Sequence, residues 1–226
     1  MNYTPTQKKK ILSIVNIFET GKISGDYGNI SIFHDGPNKI KQVTYGRSQT
    51  TEFGNLADLI KRYVDNKGQY ASQLSPYLTK IGHLNQPLSD DNNFIQLLKQ
   101  AGKDPIMLST QDSFFDADYF NPAVKWASDN GFTLPLSLLV IYDSYIHSGS
   151  IPKFLRDDFS EKVPVNGGDE KKWIITYVED RKHWLSTASN PILHNTVYRM
   201  ETILDEISHN NWDLSQPVAA CGILVS

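Results

Sequence analysis

Apolar residues recur every third or fourth position along most of this chain and every second position in one stretch near its start. In residues 4–19, Ile11, Ile14, Val15 and Phe18 follow Thr4 or Thr6 as a cap and Pro5 in the first turn, which predicts a helix with one buried face. Gly21 and Gly25 stop it, leaving Glu19 in the last turn. From 26 to 49 the spacing changes. Ile30 and Ile32, the turn Asp35-Gly36-Pro37-Asn38, then Ile40, Val43 and Tyr45 predict a β-hairpin or small sheet.

Helical spacing returns over 56–64, 71–81, 93–101, 106–118 and 120–130, with a polar loop at 82–92. Residues 134–146 are the most apolar run, between Gly131 and Ser148-Gly149-Ser150, and predict a central buried helix. Further helices are expected over 173–186 and 192–209, and the tail 211–226 reads as extended packing over the surface. The pattern predicts a mainly α fold with a small β-hairpin or sheet, organised as one domain of two lobes. A minor lobe would cover about 26–60 and a major helical lobe 1–25 and 61–226.

Composition narrows the function classes. A chain of 226 residues buries a sizeable core, and 39% hydrophobic with 21% charged residues is ordinary for a globular protein. The formal charge of −3 offers no basic field to a phosphate backbone, so nucleic acid is not expected as a partner. The longest apolar stretch, 134–142, is too short to span a bilayer, so no membrane partner is expected. Cys221 is the only cysteine, and no intrachain disulfide can form. The histidines at 34, 83, 147, 183, 194 and 209 lack zinc-site spacing, and no nucleophile elbow or phosphate loop is present. Neither metal nor cofactor is expected. No secretion signal is visible before Lys8-Lys9-Lys10.

The chemistry that remains is that of carboxylates. Glu19 closes a helix, where the dipole makes an acid mildly unfavourable unless something else requires it. Asp35 stands beside a Gly-Pro turn, a place where Asp is also favoured for backbone hydrogen bonding alone. Two carboxylates on separate elements can hold different protonation states, as glycosidic hydrolysis requires. Asp26 is a rival for the second position. Asp143 falls inside the apolar run and must be paired with a cation to be tolerated there.

These residues keep a particular company. Tyr27 lies midway between Glu19 and Asp35. Later come Phe120-Asn121-Pro122-Ala123-Val124, Tyr142-Asp143 running to His147, Gly167-Gly168-Asp169-Glu170 with Arg181 beyond, and Asn211-Trp212-Asp213-Leu214 before Pro217. In this order and spacing the chain resembles the chitosanases of glycoside hydrolase family 46. The resemblance runs from about Thr6 to Gly222.

It implies a two-lobed fold of the lysozyme superfamily with a cleft between the lobes. It also implies an extracellular, monomeric, endo-acting enzyme that cuts β-1,4-linked glucosamine polymer with inversion. Carried over residue by residue, it makes Glu19 the general acid and Asp35 the general base, their carboxyls about 6.5 to 9.5 Å apart. Thr44 is the hydroxyl nearest to the family's water-positioning residue, with Thr50 and Thr51 behind it. Tyr27 is a substrate contact.

The segment 46–56 departs from the family, with Asn55 where a carboxylate would bind a substrate ammonium. Glu52 is the displaced candidate for that charge. Asp169 and Glu170 are further substrate-binding candidates, although acids are favoured at any helix N-terminus. The family's buried ion network matches Asp143, Lys162 and Arg181, and Lys162 cannot make the bidentate fork of an arginine. Two alternatives stay open: a lysozyme-like muramidase acting on peptidoglycan, and a carbohydrate-binding relative without catalysis.

Overall fold

The computed structural model describes residues 1–47 and 50–226. Ser48 and Gln49, the end of the stretch expected to form the hairpin, lie outside the described residues. The chain divides into two compact units, one formed by Met1–Ile23 with Ala117–Ser226 and the other by Ser24–Asp116.

The first unit is helical. α1 (Pro5–Thr20) starts on a capping box, in which Thr4 and Gln7 satisfy each other's backbone N–H groups, and ends at Gly21, whose φ of 69° suits glycine. α6 (Asn121–Asp129), α7 (Pro135–Ser148), α8 (Lys153–Arg156), α9 (Glu170–Thr187) and α10 (Tyr198–Ser208) complete it. The expected central helix is α7. Its residues from Pro135 to Ser144 are all buried, and α1, α6 and α9 pack around it. Trp173 of α9 stacks on Tyr177 at 5.1 Å and meets Phe132 and Phe159 edge on.

The long helix expected over 192–209 is interrupted. A 3-10 turn, Pro191–Thr196, precedes α10, because Pro191 follows a capping Asn190 and starts a new element. The tail does not simply lie extended. β4 (Val218–Ala220) and β5 (Ile223–Val225) form an antiparallel hairpin, with Cys221 and Gly222 at φ 49° and 79° in its two-residue turn. Lys10 donates to the carbonyls of Leu214 (2.9 Å) and Gln216 (3.1 Å), pinning this tail to α1.

The second unit contains the expected small sheet. β1 (Ile30–Phe33), β2 (Gln42–Tyr45) and β3 (Thr50–Thr51) are antiparallel in that order, with Ser31 opposite Thr44 and Phe33 opposite Gln42. The connection between β1 and β2 is longer than the four-residue turn expected and includes a 3-10 turn, Pro37–Lys39. α2 (Leu56–Asp65), α3 (Ala71–Leu74), α4 (Asn92–Ala101) and α5 (Pro105–Phe115) belong to the same unit. Tyr45, Leu59, Ile60, Tyr63, Phe94, Leu98 and Phe114 are fully buried in it. The compact unit that holds the sheet runs to Asp116 rather than to about 60, since α2 packs on β3, α3 and α5, and α3 packs on α4. The helix expected over 71–81 ends at Leu74 and tightens into a 3-10 turn at Pro76, whose ring cannot continue the ladder.

Candidate active site

Glu19 is held by what surrounds the end of α1. Thr20 donates to the Asn16 carbonyl at 2.8 Å, and the Asn16 amide donates to the Ile23 carbonyl at 3.1 Å, so the chain leaves the helix along one fixed path. The Glu19 side chain is 12% exposed and forms a charge-assisted pair with Arg199 in the first turn of α10. Arg199 also donates to Asp143 Oδ1 at 2.8 Å, and Arg181 of α9 donates to Asp143 Oδ2 at 2.7 Å. The second guanidinium nitrogen of Arg181 donates to His147 Nδ1 at 3.2 Å, which places the His147 ring proton on Nε2. Arg199 lies over the rings of Phe18 and Tyr198, and the Tyr198 hydroxyl donates to the Phe18 carbonyl at 2.6 Å.

The charges along this row alternate, and alternation is what permits their burial. Burial alone would raise the Asp143 carboxyl, but Arg199 and Arg181 outweigh it and hold it below the ordinary carboxylate range. Burial likewise disfavours the charged Arg199, and Glu19 and Asp143 more than restore it, so its pKa is raised. His147 is driven the other way. Burial first, then the positive charges of Arg199 and Arg181, push its pKa down to about 3, so it is a neutral acceptor.

Asp35 stands in a different setting. It is exposed, on the loop between β1 and β2, and its Oδ1 accepts from Gln42 Nε2 at 3.0 Å. The carbonyl end of the same Gln42 amide accepts from the Phe53 N–H at 3.3 Å, so its orientation is set from both sides. Gly36 next to Asp35 is required by space. A Cβ there would lie 2.8 Å from the Ile40 carbonyl oxygen and 3.0 Å from the Phe53 ring. Gln42 and Thr44 are two residues apart on β2 and share one face of the sheet with Ser31. Thr44 is buried there.

Tyr27 belongs to a second cluster of the same unit. Its hydroxyl donates to Asp112 at 2.8 Å, its carbonyl accepts from Gln111 at 2.9 Å, and the Gln111 carbonyl oxygen accepts from the Arg47 N–H at 3.1 Å. Arg47 pairs with Asp112 and lies over the Tyr27 and Phe115 rings. Burial and the Asp112 carboxylate raise the Tyr27 phenol, which stays protonated.

Several expected site residues have other tasks. Lys162 is exposed and takes no part in the ion network; Arg199 fills that position, because α10 brings its guanidinium between Glu19 and Asp143. Glu52 is 1% exposed and accepts from the backbone N–H groups of Val43 (3.1 Å) and Leu88 (2.7 Å), so it clamps a loop to β2 and is not presented to a ligand. Glu170 closes the N-terminus of α7, accepting from Thr133 N (2.9 Å), Leu134 N (2.8 Å) and Ser137 Oγ (2.7 Å). Asp169 caps α9 through the Lys172 N–H at 2.9 Å. Asn55 is exposed at the start of α2, and Asp26 closes a turn onto the Gly28 N–H at 3.1 Å.

Three residues escaped the sequence reading: Arg199, Gln42 and Arg47. Arg199 had a signal. It directly precedes Met200 and sits one turn before Ile203, on the buried side of α10, where an arginine needs a buried anion. Gln42 and Arg47 had none, since each acts through a partner far off in the pattern. Among the described residues no group of three His, Cys, Asp or Glu is placed to hold a metal ion, and no helix is long and apolar enough to cross a membrane.

Comparison with known proteins bears on this arrangement. The chain is 27% identical to a chitosanase of Bacillus subtilis (strain 168), over 94% of this chain and 80% of the relative. It is 24% identical to a chitosanase of Streptomyces sp. (strain N174), over 73% of this chain and 61% of that longer relative. Its fold matches that of a family 46 chitosanase from Gynuella sunshinyii in complex with chitotetraose, with a TM-score of 0.85 at 22% identity, covering 99% of this chain and 98% of that one. The native chitosanase of Bacillus subtilis MY002 matches with the same TM-score and identity over 100% of both chains. The sequence model of glycosyl hydrolase family 46 matches residues 13–218, and the chain belongs to that family.

Proposed function

We propose that the protein is an endo-acting chitosanase that hydrolyses β-1,4-linked glucosamine polymer with inversion, using Glu19 as general acid and Asp35 as general base. The observation that carries the reading is the setting of Glu19. A carboxylate in the last turn of α1, nearly buried, is backed by a fixed Arg199–Asp143–Arg181 row in a family 46 hydrolase. The relatives named above are chitosanases, one of them seen with chitotetraose.

In this mechanism Glu19 gives its proton to the leaving glycosidic oxygen as the bond to the anomeric carbon breaks. A water attacks that carbon from the opposite face and loses its proton to Asp35. Negative charge develops on Glu19 as the proton leaves, and the Arg199 guanidinium is already in place to stabilise it without reorganising. Gln42 orients Asp35, and Thr44 on the same face of β2 is the candidate to position the water. Tyr27 supplies a substrate contact. A polymer of this kind does not cross membranes, so we place the activity outside the cell. Each unit buries its own core within one chain, which suits a monomer.

The test is reducing-end release from chitosan and from peptidoglycan by the wild type, Glu19→Gln and Asp35→Asn, with circular dichroism to show that the variants are folded. Each substitution should lower chitosan cleavage by about 10²- to 10⁴-fold. Cleavage of peptidoglycan alone would replace this reading with that of a muramidase. Saturable chitosan binding with no cleavage by the wild type would make the protein a carbohydrate-binding relative.

A further inference from the structure

Glu19 is held at both ends by consecutive residues of α10. Arg199 pairs with its carboxylate, and Tyr198, the residue before, reaches its backbone. Phe18 lies in the last turn of α1, where carbonyls lack helical partners of their own, and the hydroxyl of the half-buried Tyr198 donates to the Phe18 carbonyl at 2.6 Å. That carbonyl belongs to the planar peptide shared with the Glu19 nitrogen, so a bond to its oxygen fixes the plane from which the Glu19 side chain hangs. The rings take part as well. Tyr198 meets Phe18 edge on, with centroids 5.9 Å apart, and the Arg199 guanidinium lies 5.5 Å from the Phe18 ring and 5.8 Å from that of Tyr198. The end of α1 is closed without this hydroxyl, by the Gly21 N–H on the Ile17 carbonyl at 2.9 Å and by Thr20 on the Asn16 carbonyl at 2.8 Å. Burial raises the Tyr198 phenol against the pull of Arg199, so the hydroxyl keeps its proton at neutral and acid pH.

We propose that Tyr198 is a positioning residue for proton donation by Glu19, holding the peptide that carries the acid while Arg199 holds its carboxylate. This inference rests on the reading of Glu19 as general acid. A carboxylate tied through its oxygens alone still pivots about its own backbone. An acid that hands its proton to one oxygen of the substrate needs its origin fixed as well as its tip, because misplacement on the scale of one ångström costs up to about 10²-fold. The Tyr198 hydroxyl reaches the backbone and not the carboxylate, so its loss changes the rate of the chemical step and leaves substrate binding in place.

The experiment is steady-state cleavage of soluble chitosan by Tyr198→Phe, Glu19→Gln and the double variant, with circular dichroism to show that each is folded. Tyr198→Phe keeps the ring against Phe18 and Arg199 and removes only the donor. Its kcat should fall about tenfold, with KM within about twofold of wild type. In the Glu19→Gln chain the same change should cost less than about twofold more, because the group that Tyr198 serves is already gone. Cleavage of a dinitrophenyl glycoside of a glucosamine oligomer, whose leaving group departs without a proton, should fall far less than tenfold in Tyr198→Phe. Wild-type kcat on chitosan in Tyr198→Phe overturns the proposal. A further tenfold loss in the Glu19→Gln chain, or an equal loss on both substrates, also overturns it, since the hydroxyl would then act other than through the acid. If Glu19→Gln cleaves chitosan as the wild type does, the acid reading fails and the positioning role with it, a result distinct from failure of the Tyr198 variant alone.

Discussion

The surroundings of Glu19 and Asp35 differ in almost every physical respect. Glu19 is nearly out of water, on a rigid helix end, and is joined through Arg199 to a row of buried charges. Asp35 is exposed on a loop, and its carboxylate accepts from Gln42. The difference suits the two proposed tasks. A proton donor needs a dry site whose electrostatics are settled before the reaction, whereas a base that activates water needs access to water and only an orienting contact. Damage around Glu19 should therefore cost both stability and activity, and damage around Asp35 chiefly activity.

The largest effect should come from the row itself. Asp143→Ala leaves Arg181 and Arg199 buried without their shared anion, and breaking such a pair costs about 3 to 5 kcal/mol. Denaturant unfolding should show that loss together with loss of chitosan cleavage. Arg199→Lys tests the fork, since a lysine can hold Glu19 or Asp143 but not both in bidentate fashion. Stability close to wild type in Asp143→Ala would break the comparison.

The next effects concern acids that were expected to meet substrate and are instead bound to backbone. Glu52→Gln and Glu170→Gln each weaken a carboxylate that accepts from backbone N–H groups, buried at Glu52 and partly buried at Glu170, at a cost of about 1 to 3 kcal/mol. Chitosan KM should not change in either variant. A rise in KM without loss of stability would return these residues to the binding surface.

How much of this was legible in the sequence follows from the range of each interaction. α1, its proline and its glycine stop, the apolar α7 and the sheet are written in local spacing, and all were read from it. The need for a cation opposite Asp143 was also readable, because a charge in an apolar run must be paired. The family resemblance named one such cation, Arg181, which does donate to Asp143, but not the second. Lys162 and Arg199 are both basic, and only the turn of chain at Pro191–Thr196, which sets the direction of α10, decides between them. Glu52 and Glu170 misled for the same reason. An acid that captures backbone N–H groups 36 residues away, as Glu52 does, looks in sequence like one that waits for a ligand.

His147 gives a pH handle on the network. Its pKa falls from 6.5 to about 3 on folding, so the folded state disfavours its protonation, and the unfolded chain binds the extra proton between those values. Stability should fall as pH drops from 6.5 toward 3, with a slope from this group of at most about 1.4 kcal/mol per pH unit. Asp143, held low, adds its own loss only as pH falls below its unfolded value of 3.8. Thermal unfolding from pH 7 to 4 should therefore show a shallower decline for His147→Gln, which keeps an acceptor for Arg181 without a titrating ring. An unchanged slope would mean that the imidazole is free to protonate in the folded protein.

The smallest change in stability, and the sharpest test of the Asp35 side, is expected from Gln42→Ala. The amide of Gln42 donates to Asp35 and accepts from the Phe53 N–H, so its loss frees the carboxylate and leaves one backbone donor short, worth about 1 kcal/mol. The folded state loses little because Asp35 is exposed and water replaces the amide. Catalysis loses more. A base that is no longer aimed samples unproductive orientations, and misplacement on the scale of one ångström costs up to about 10²-fold. Chitosan kcat should fall by about tenfold with KM unchanged, and Gln42→Glu should not restore it, since a second carboxylate repels Asp35 instead of donating to it. If both variants keep wild-type kcat, Asp35 needs no aiming, and the contrast between a built site at Glu19 and an oriented one at Asp35 reduces to a difference in burial alone.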